Sequence, residues 1–420
     1  MRSKTKYKLI DLMKSNKLAV HVLNKIKKMT SKDLSLDIIN EVVFEKEDTT
    51  KSRINLVLPT LRKSKVFGGI NTAVKLFEIV LKATNSDGRI IILNDEMNDE
   101  KWEYDISGFS RDNSHYNIYY LAETNHLAVR EKDFFVFTSW RTIYTLNGIV
   151  EWYKNNYGNR DYKLIYMIQD YEPGFHAWST EYVLAESTYR NQCDSIIAVF
   201  NSKQLYDFFK NKQYCFGIEY YFTPSLNGAL KKELLGCNDL PKREKMILIY
   251  GRPSEYRNAF EIVRYSLKIW SSKYKKAREW KIVSLGEYFN ELKLENNTIV
   301  AYGKVSLEEY AQCMLRAFAG ISLMISPHPS YPPLEMSTFG VRTITNTFAN
   351  KDLSGFNNNI ISVNNCIPDE IANKLIEICE QYDDSSSNKN TIDFNESYLN
   401  DNSLVDVANR VVEQIQGMIG

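Results

Sequence analysis

Several things that define whole protein classes are scarce in this sequence. The six cysteines, Cys193, Cys215, Cys237, Cys313, Cys366 and Cys379, include no Cys-x-x-Cys pair and have no neighbouring histidines. That argues against a zinc site, and reduced, partly buried thiols are expected. Histidine is rare, five residues in 420, and no metal-ligand cluster is expected. Net charge is almost absent: 53 Lys+Arg against 52 Asp+Glu leave +1, which excludes a surface built wholly for nucleic acid. No apolar run approaches the ~20 residues needed to cross a bilayer. The start, Met1-Arg-Ser-Lys-Thr-Lys-Tyr-Lys running into Leu-Ile-Asp-Leu-Met-Lys, lacks the apolar core and cleavage site of a signal peptide. A cytoplasmic protein is expected.

What is present reads as a soluble enzyme. Apolar residues make up 44% and charged residues 25%, and the length suits two domains of about 200 residues each. The charge is uneven. Residues 1–33 carry ten Lys/Arg against Asp11 and Asp33, and Leu18, Val22, Ile26 and Met29 fall at helical spacing. Residues 1–50 therefore read as a basic amphipathic helical arm. Such a helix either rests on an anionic membrane surface or packs on the body with its lysines solvated.

From residue 53 short apolar runs alternate with helical periods, the pattern of a parallel, doubly wound sheet. Strands are expected at Ile54–Leu58, Arg89–Leu93, Asn117–Tyr120, Phe134–Thr138, Leu164–Ile168 and Ser195–Phe200. Helices are expected after Gly68-Gly69, over Arg141–Trp152 and over Thr180–Gln192. A second set follows the Thr223-Pro224-Ser225 break, with strands at Met246–Tyr250, Lys281–Leu285, Thr298–Ala301, Gly320–Ile325 and Arg342–Thr345. Its helices run through Leu307–Phe318, started by a Ser306/Glu309 capping box, and through Ile371–Tyr382. The expected division is 1–50 arm, 51–224 first α/β domain, 225–400 second α/β domain and 401–420 closing helix. Two such domains enclose a cleft at the carboxyl ends of their strands, the default ligand site.

The second half concentrates chemistry at strand ends. Met246–Tyr250 runs into Gly251-Arg252-Pro253-Ser254-Glu255-Tyr256-Arg257, and Thr298–Ala301 into Tyr302-Gly303-Lys304-Val305-Ser306. Arg252 and Lys304 are expected to converge on one diphosphate, where fixed cations stabilise the charge that builds on a leaving group. Glu335 follows Pro332-Pro333-Leu334, where a helix begins, and a carboxylate there accepts hydrogen bonds from sugar hydroxyls. In the first half, Asp170 lies just past a strand and suits orienting donor or acceptor hydroxyls. Arg62 and Lys63 precede Gly68-Gly69 near the cleft. His176 shares a loop with Tyr171, Phe175 and Trp178, a sugar-stacking wall or a packing cluster.

The order Gly-Arg after a strand, a basic residue five further on, Gly-Lys-Val-Ser, then Ser-Pro-x7-Glu-x4-Gly resembles the nucleotide-sugar half of family 4 glycosyltransferases of the GT-B fold. Tyr166–Phe175, Leu184–Arg190 and Ser326–Glu335 resemble, more narrowly, the WsaF-type rhamnosyltransferases. The resemblance implies metal-independent transfer of L-rhamnose, with retention, from dTDP-β-L-rhamnose to a growing bacterial surface glycan, with no cofactor and an acceptor held on a lipid. By the same resemblance Arg252 and Lys304 contact the diphosphate, and Glu335 binds the nucleotide's sugar ring. Ser330 and Tyr331 lie near the phosphates and donor, and the backbone of Gly69 approaches the diphosphate from across the cleft. One departure is Pro327, which stands where most family 4 members carry a second glutamate; another is Arg257, where many have lysine. Another donor such as a UDP-hexose, a nucleotide-sugar 2-epimerase, and a non-catalytic glycan-binding subunit remain open alternatives.

Overall fold

The computed structural model describes residues 41–61, 68–93, 116–237, 240–383, 395–400 and 402–419. The basic segment 1–33 and the loop with Arg62 and Lys63 lie outside the described residues. In chain order the first half supplies β1 (Val43–Lys46), β2 (Arg53–Leu58), β3 (Asp87–Ile92), β4 (Tyr116–Tyr120), β5 (His126–Val129), β6 (Asp133–Phe137), β7 (Leu164–Ile168), β8 (Ile196–Phe200) and β9 (Ile218–Tyr221). The second half supplies β10 (Glu244–Gly251), β11 (Lys281–Gly286), β12 (Leu292–Lys293), β13 (Thr298–Gly303), β14 (Ala317–Ile321), β15 (Arg342–Asn346) and β16 (Ile360–Val363).

Seven strands of the first half form a parallel sheet in the order β4-β3-β2-β6-β7-β8-β9. The second sheet runs β12-β13-β11-β10-β14-β15-β16, with β12 alone antiparallel. Strands such as Ile196–Phe200, IIAVF, are buried along their whole length because helices cover both faces of each sheet. The two halves are thus Rossmann-like, and the expected fold class holds.

Four local expectations change. Residues 43–46 are a strand and not part of a helical arm: β1 pairs in parallel with β5, Phe44 packs with Leu127, Val129 and Tyr153, on the side of the first sheet away from the closing helix, and Glu47 accepts hydrogen bonds from Arg53 (2.9 Å) and Arg130 (2.8 Å). The helix expected over 141–152 is two, Trp140–Thr145 and Ile149–Tyr157, broken at Asn147-Gly148. The helix expected over 180–192 stops at Ser187. Finally, β14 covers 317–321 and not 320–325, so Phe318 belongs to a strand rather than to the helix Leu307–Arg316. Arg243 explains that break: its buried guanidinium donates to the carbonyls of Met314 (2.6 Å) and Ala317 (2.7 Å), satisfying the helix end. The Ser306/Glu309 capping box forms as expected.

The closing helix, Asn402–Ile419, returns to the first domain. Leu404, Val407, Ala408, Val411, Val412 and Ile415 are buried there with Ala73, Leu76, Phe77 and Val80 of the helix Gly68–Thr84. Each of the larger side chains, Leu, Val, Ile or Phe, contributes about 1.5–3 kcal/mol. Two chain crossings therefore run side by side between the domains, marked by bonds from Leu226 N to Tyr398 O (2.7 Å) and from Thr223 N to Ser403 Oγ (2.9 Å).

Candidate active site

In each sheet the strand order reverses at one place, between β2 and β6 and between β10 and β14. Ligands of doubly wound sheets lie outside the carboxyl ends at such a switch point. Here the carboxyl ends of the two sheets meet. Asp170, just past β7, accepts from Arg257 Nη1 at 2.5 Å and from the Ser326 hydroxyl, both of the second domain. Tyr331 reaches the other way, its hydroxyl bonded to Thr72 of the helix Gly68–Thr84. Asn350 Nδ2 adds a bond to Gln204 O at 2.8 Å.

Arg252 follows β10 directly and is partly buried, its side chain 18% exposed. Its guanidinium meets the Glu255 carboxylate at 3.2 Å and the Tyr250 hydroxyl, which burial pushes up while Arg252 pulls it back. Lys304 follows β13 and is exposed. Strand β11 lies between β10 and β13, so the two cations spring from positions roughly 10 Å apart in the sheet. The turn at Gly286–Tyr288 lies between them, with Gly286 against Arg252 Cγ and Gly303, at φ +71°, against Tyr288.

The loop from β14 to the helix Tyr331–Thr338 forms the centre of the cleft. Ser326 Oγ accepts from His328 N at 3.0 Å, and His328 Nδ1 accepts from Ser330 N at 3.0 Å. Ser330 sits at φ +69°, ψ 140°, a positive-φ backbone that glycine favours, that costs a serine of order 1–3 kcal/mol and that clusters at ligand sites. Pro332 and Pro333 occupy the first turn of the following helix, where their missing N–H groups cost nothing. Glu335, one turn on, is partly buried beside Tyr310, and burial pushes its carboxyl up to about 7 while the Tyr310 hydroxyl pulls it down. On the first-domain side, Gly69 packs so closely on the Gln169 amide that a Cβ there would collide with it.

Of the residues singled out from sequence, Arg252, Ser330, Tyr331, Glu335, Gly69 and Asp170 share this cleft. Asp170 is not open to a ligand hydroxyl here, because Arg257, Ser326 and its neighbour's Tyr171 N (2.8 Å) take its carboxylate. Tyr171 belongs to the core, donating to Glu186 at 2.8 Å and packing on Phe208 and Tyr189. Phe175 carries the Arg257 guanidinium 3.7 Å above its ring, and Trp178 is 98% exposed, so the three aromatics do not form one wall. His176 stands edge-on to Trp140 at 5.7 Å, and burial with Arg141 nearby holds it below its ordinary value. From sequence, Ser326 and His328 stood only within their segment, and Arg257 stood only as the basic residue five past Arg252, without a role. The five-residue spacing from Arg252 was the one signal pointing to Arg257.

Residues 53–203 match the family described as "WsaF, N-terminal domain" and residues 245–376 match "WsaF, C-terminal domain", together two thirds of the chain. O-antigen biosynthesis protein RfbC of Myxococcus xanthus is 31% identical over 182 residues, 43% of this chain but 14% of that protein. Sucrose-phosphate synthase from Thermosynechococcus elongatus superposes with a TM-score of 0.56 at 12% identity, over 88% of this chain and 100% of that one. WaaG, a glycosyltransferase involved in lipopolysaccharide biosynthesis, gives 0.52 at 12% identity, over 87% and 100%. At such identities the likeness shows the fold, which is GT-B. Among the described residues no helix is long and apolar enough to cross a membrane.

Proposed function

We propose that this chain, which belongs to the WsaF family of GT-B glycosyltransferases, moves L-rhamnose from dTDP-β-L-rhamnose to a growing, lipid-linked surface glycan with retention of configuration. The observation that carries the reading is the meeting of Arg252, the Ser326–Tyr331 loop and Glu335 at the switch point of the second sheet, facing Gly69 and Thr72 of the first. A nucleotide sugar needs those parts in that order: a cation for the diphosphate, backbone and hydroxyl donors beside it, and a carboxylate for the nucleotide's sugar hydroxyls. The RfbC match supports a role in surface polysaccharide synthesis.

In the mechanism we infer, Arg252 and Lys304 hold the diphosphate from two sides and stabilise the charge left on it as the glycosidic C–O bond breaks. The acceptor hydroxyl attacks from the face the nucleotide leaves, and a β-phosphate oxygen takes its proton. Asp170 does not serve as nucleophile, since its carboxylate is spent on Arg257 and Ser326. Glu335 fixes the nucleotide by accepting from its ring hydroxyls.

The test supplies purified enzyme with dTDP-β-L-rhamnose and a rhamnose-terminated acceptor and reads the product by NMR. Transfer that keeps the donor's anomeric configuration is the expected result. Transfer only from a UDP-hexose would overturn the donor, inversion would overturn the mechanism, and acceptor-free epimerisation of UDP-N-acetylglucosamine would overturn the reaction class.

A further inference from the structure

His328 is 6% exposed, and its two ring nitrogens have unequal duties. Nδ1 accepts the Ser330 N–H at 3.0 Å, so the proton of the neutral ring resides on Nε2. That Nε2–H is buried and has no hydrogen-bond partner. A buried donor without a partner forfeits its hydration without return, and of the two unpartnered histidine Nε2 atoms, those of His176 and His328, the second stands at the meeting of the domains. The side chain is thus held in place by one nitrogen while the other is left unspent.

Its position says what would use it. His328 lies between Ser326, bonded to Asp170 of the first domain, and Tyr331, bonded to Thr72 of the first domain. The His328 and Tyr331 rings are 5.7 Å apart. The loop therefore stands where the two domains meet beyond the β14 end. Asp170, Arg257 and Lys351 are its charged surroundings. The first two are bonded to each other, and Lys351 Nζ donates to Met324 O at 2.6 Å.

We propose that His328 Nε2–H is a specificity contact for the transferred sugar, donating to one of its hydroxyl or ring oxygens. This deepens the reading given above and rests on it. The ring is neutral at working pH, because burial and the two cations hold it down at about 4. A neutral donor suits an uncharged sugar oxygen; a phosphate is served better by the guanidinium of Arg252. The rigid Nδ1 bond makes the contact pre-organised, so its benefit appears when the sugar is present and not with the bare nucleotide.

Two substitutions separate the nitrogens. His328→Asn keeps an acceptor near the place of Nδ1 for Ser330 N–H and removes the outer donor. His328→Gln puts an amide N–H near the place of Nε2. Affinities for dTDP and for dTDP-L-rhamnose are measured by calorimetry on the full chain, with UDP/UDP-glucose and GDP/GDP-mannose run alongside, and thermal melts check folding. Expected is dTDP affinity within twofold of native in both variants. For dTDP-L-rhamnose, His328→Asn loses about tenfold and His328→Gln recovers most of it.

Equal losses for nucleotide and nucleotide sugar would assign His328 to the loop or the phosphates and overturn the proposal. No loss in His328→Asn, or no recovery in His328→Gln, would overturn it as well. If native protein binds a UDP or GDP pair instead, the donor assignment fails but the same comparison on that pair decides the role of His328. If native protein binds no nucleotide, both readings fall.

Discussion

The Glu335 carboxyl allows the sharpest quantitative prediction. Moving it from 4.5 to about 7 disfavours its charge by roughly 3 kcal/mol in the empty site. A pair of sugar hydroxyls donating to it needs the carboxylate and so draws it back toward its ordinary value. Binding then favours the ionised form and tightens as pH rises. With an empty-site value near 7, about ten in eleven sites are protonated at pH 6 and one in eleven at pH 8. The nucleotide's dissociation constant should fall about tenfold over that range and level off above it. A terminal phosphate also titrates near pH 6, so the quantity to compare is the native affinity divided by that of Glu335→Gln. Calorimetry in buffers of different ionisation enthalpy supplies a second reading: native protein releases about half a proton more than the variant at pH 7. A native-to-variant ratio that is flat from pH 6 to 8 would refute the placement of Glu335 against the nucleotide's ring hydroxyls.

Other consequences are structural. The buried Glu172, which accepts from Trp140 N and from the Tyr166 hydroxyl (3.2 Å), is pushed by burial up to about 8. Its raised value means stability is fully present below about 4.5 and is lost as pH rises toward 8, by up to roughly 5 kcal/mol. Glu172→Gln should therefore gain in melting temperature over native as pH goes from 5 to 8; a gap that does not change with pH would contradict this. Ile415→Ala, fully buried in the closing helix, should cost about 2–5 kcal/mol in denaturant unfolding, whereas loss below 1 kcal/mol would mean the helix does not close the first core. Asp170→Asn should weaken the joint between the domains by about 1–3 kcal/mol and speed hydrogen exchange over 322–331; unchanged exchange there would remove Asp170 from the joint.

The strand cores were legible because runs such as Ile54–Leu58 and Leu164–Ile168 are short and mostly apolar, the first lying between Arg53 and Pro59 and the second between Lys163 and Gln169. At Ala317–Ile325 the apolar stretch has no period of its own. Where the helix ended was decided by Arg243, seventy residues earlier in the chain, and by the close packing of Gly320 on Met336. The closing helix announced an apolar face but not the surface that receives it, since amphipathicity carries no address. In the cleft, Arg252 and Glu335 were readable from motif spacing. The Asp170–Arg257–Ser326 joint was not, because its members lie 87 and 156 positions apart and each alone looks like an ordinary polar loop residue. Lys304 was readable as a strand-end cation, but its separation from Arg252 depends on β11 entering between their strands, which is a matter of sheet order.

The central claim is that this cleft grips a nucleoside diphosphate through Arg252. Calorimetric titration of the native chain and of Arg252→Ala with dTDP, UDP and GDP tests it most directly. One saturable site is expected, best filled by dTDP, that weakens at least about tenfold in Arg252→Ala while the melting temperature stays unchanged. No binding of any of the three to native protein, or equal affinity in the variant, would contradict it.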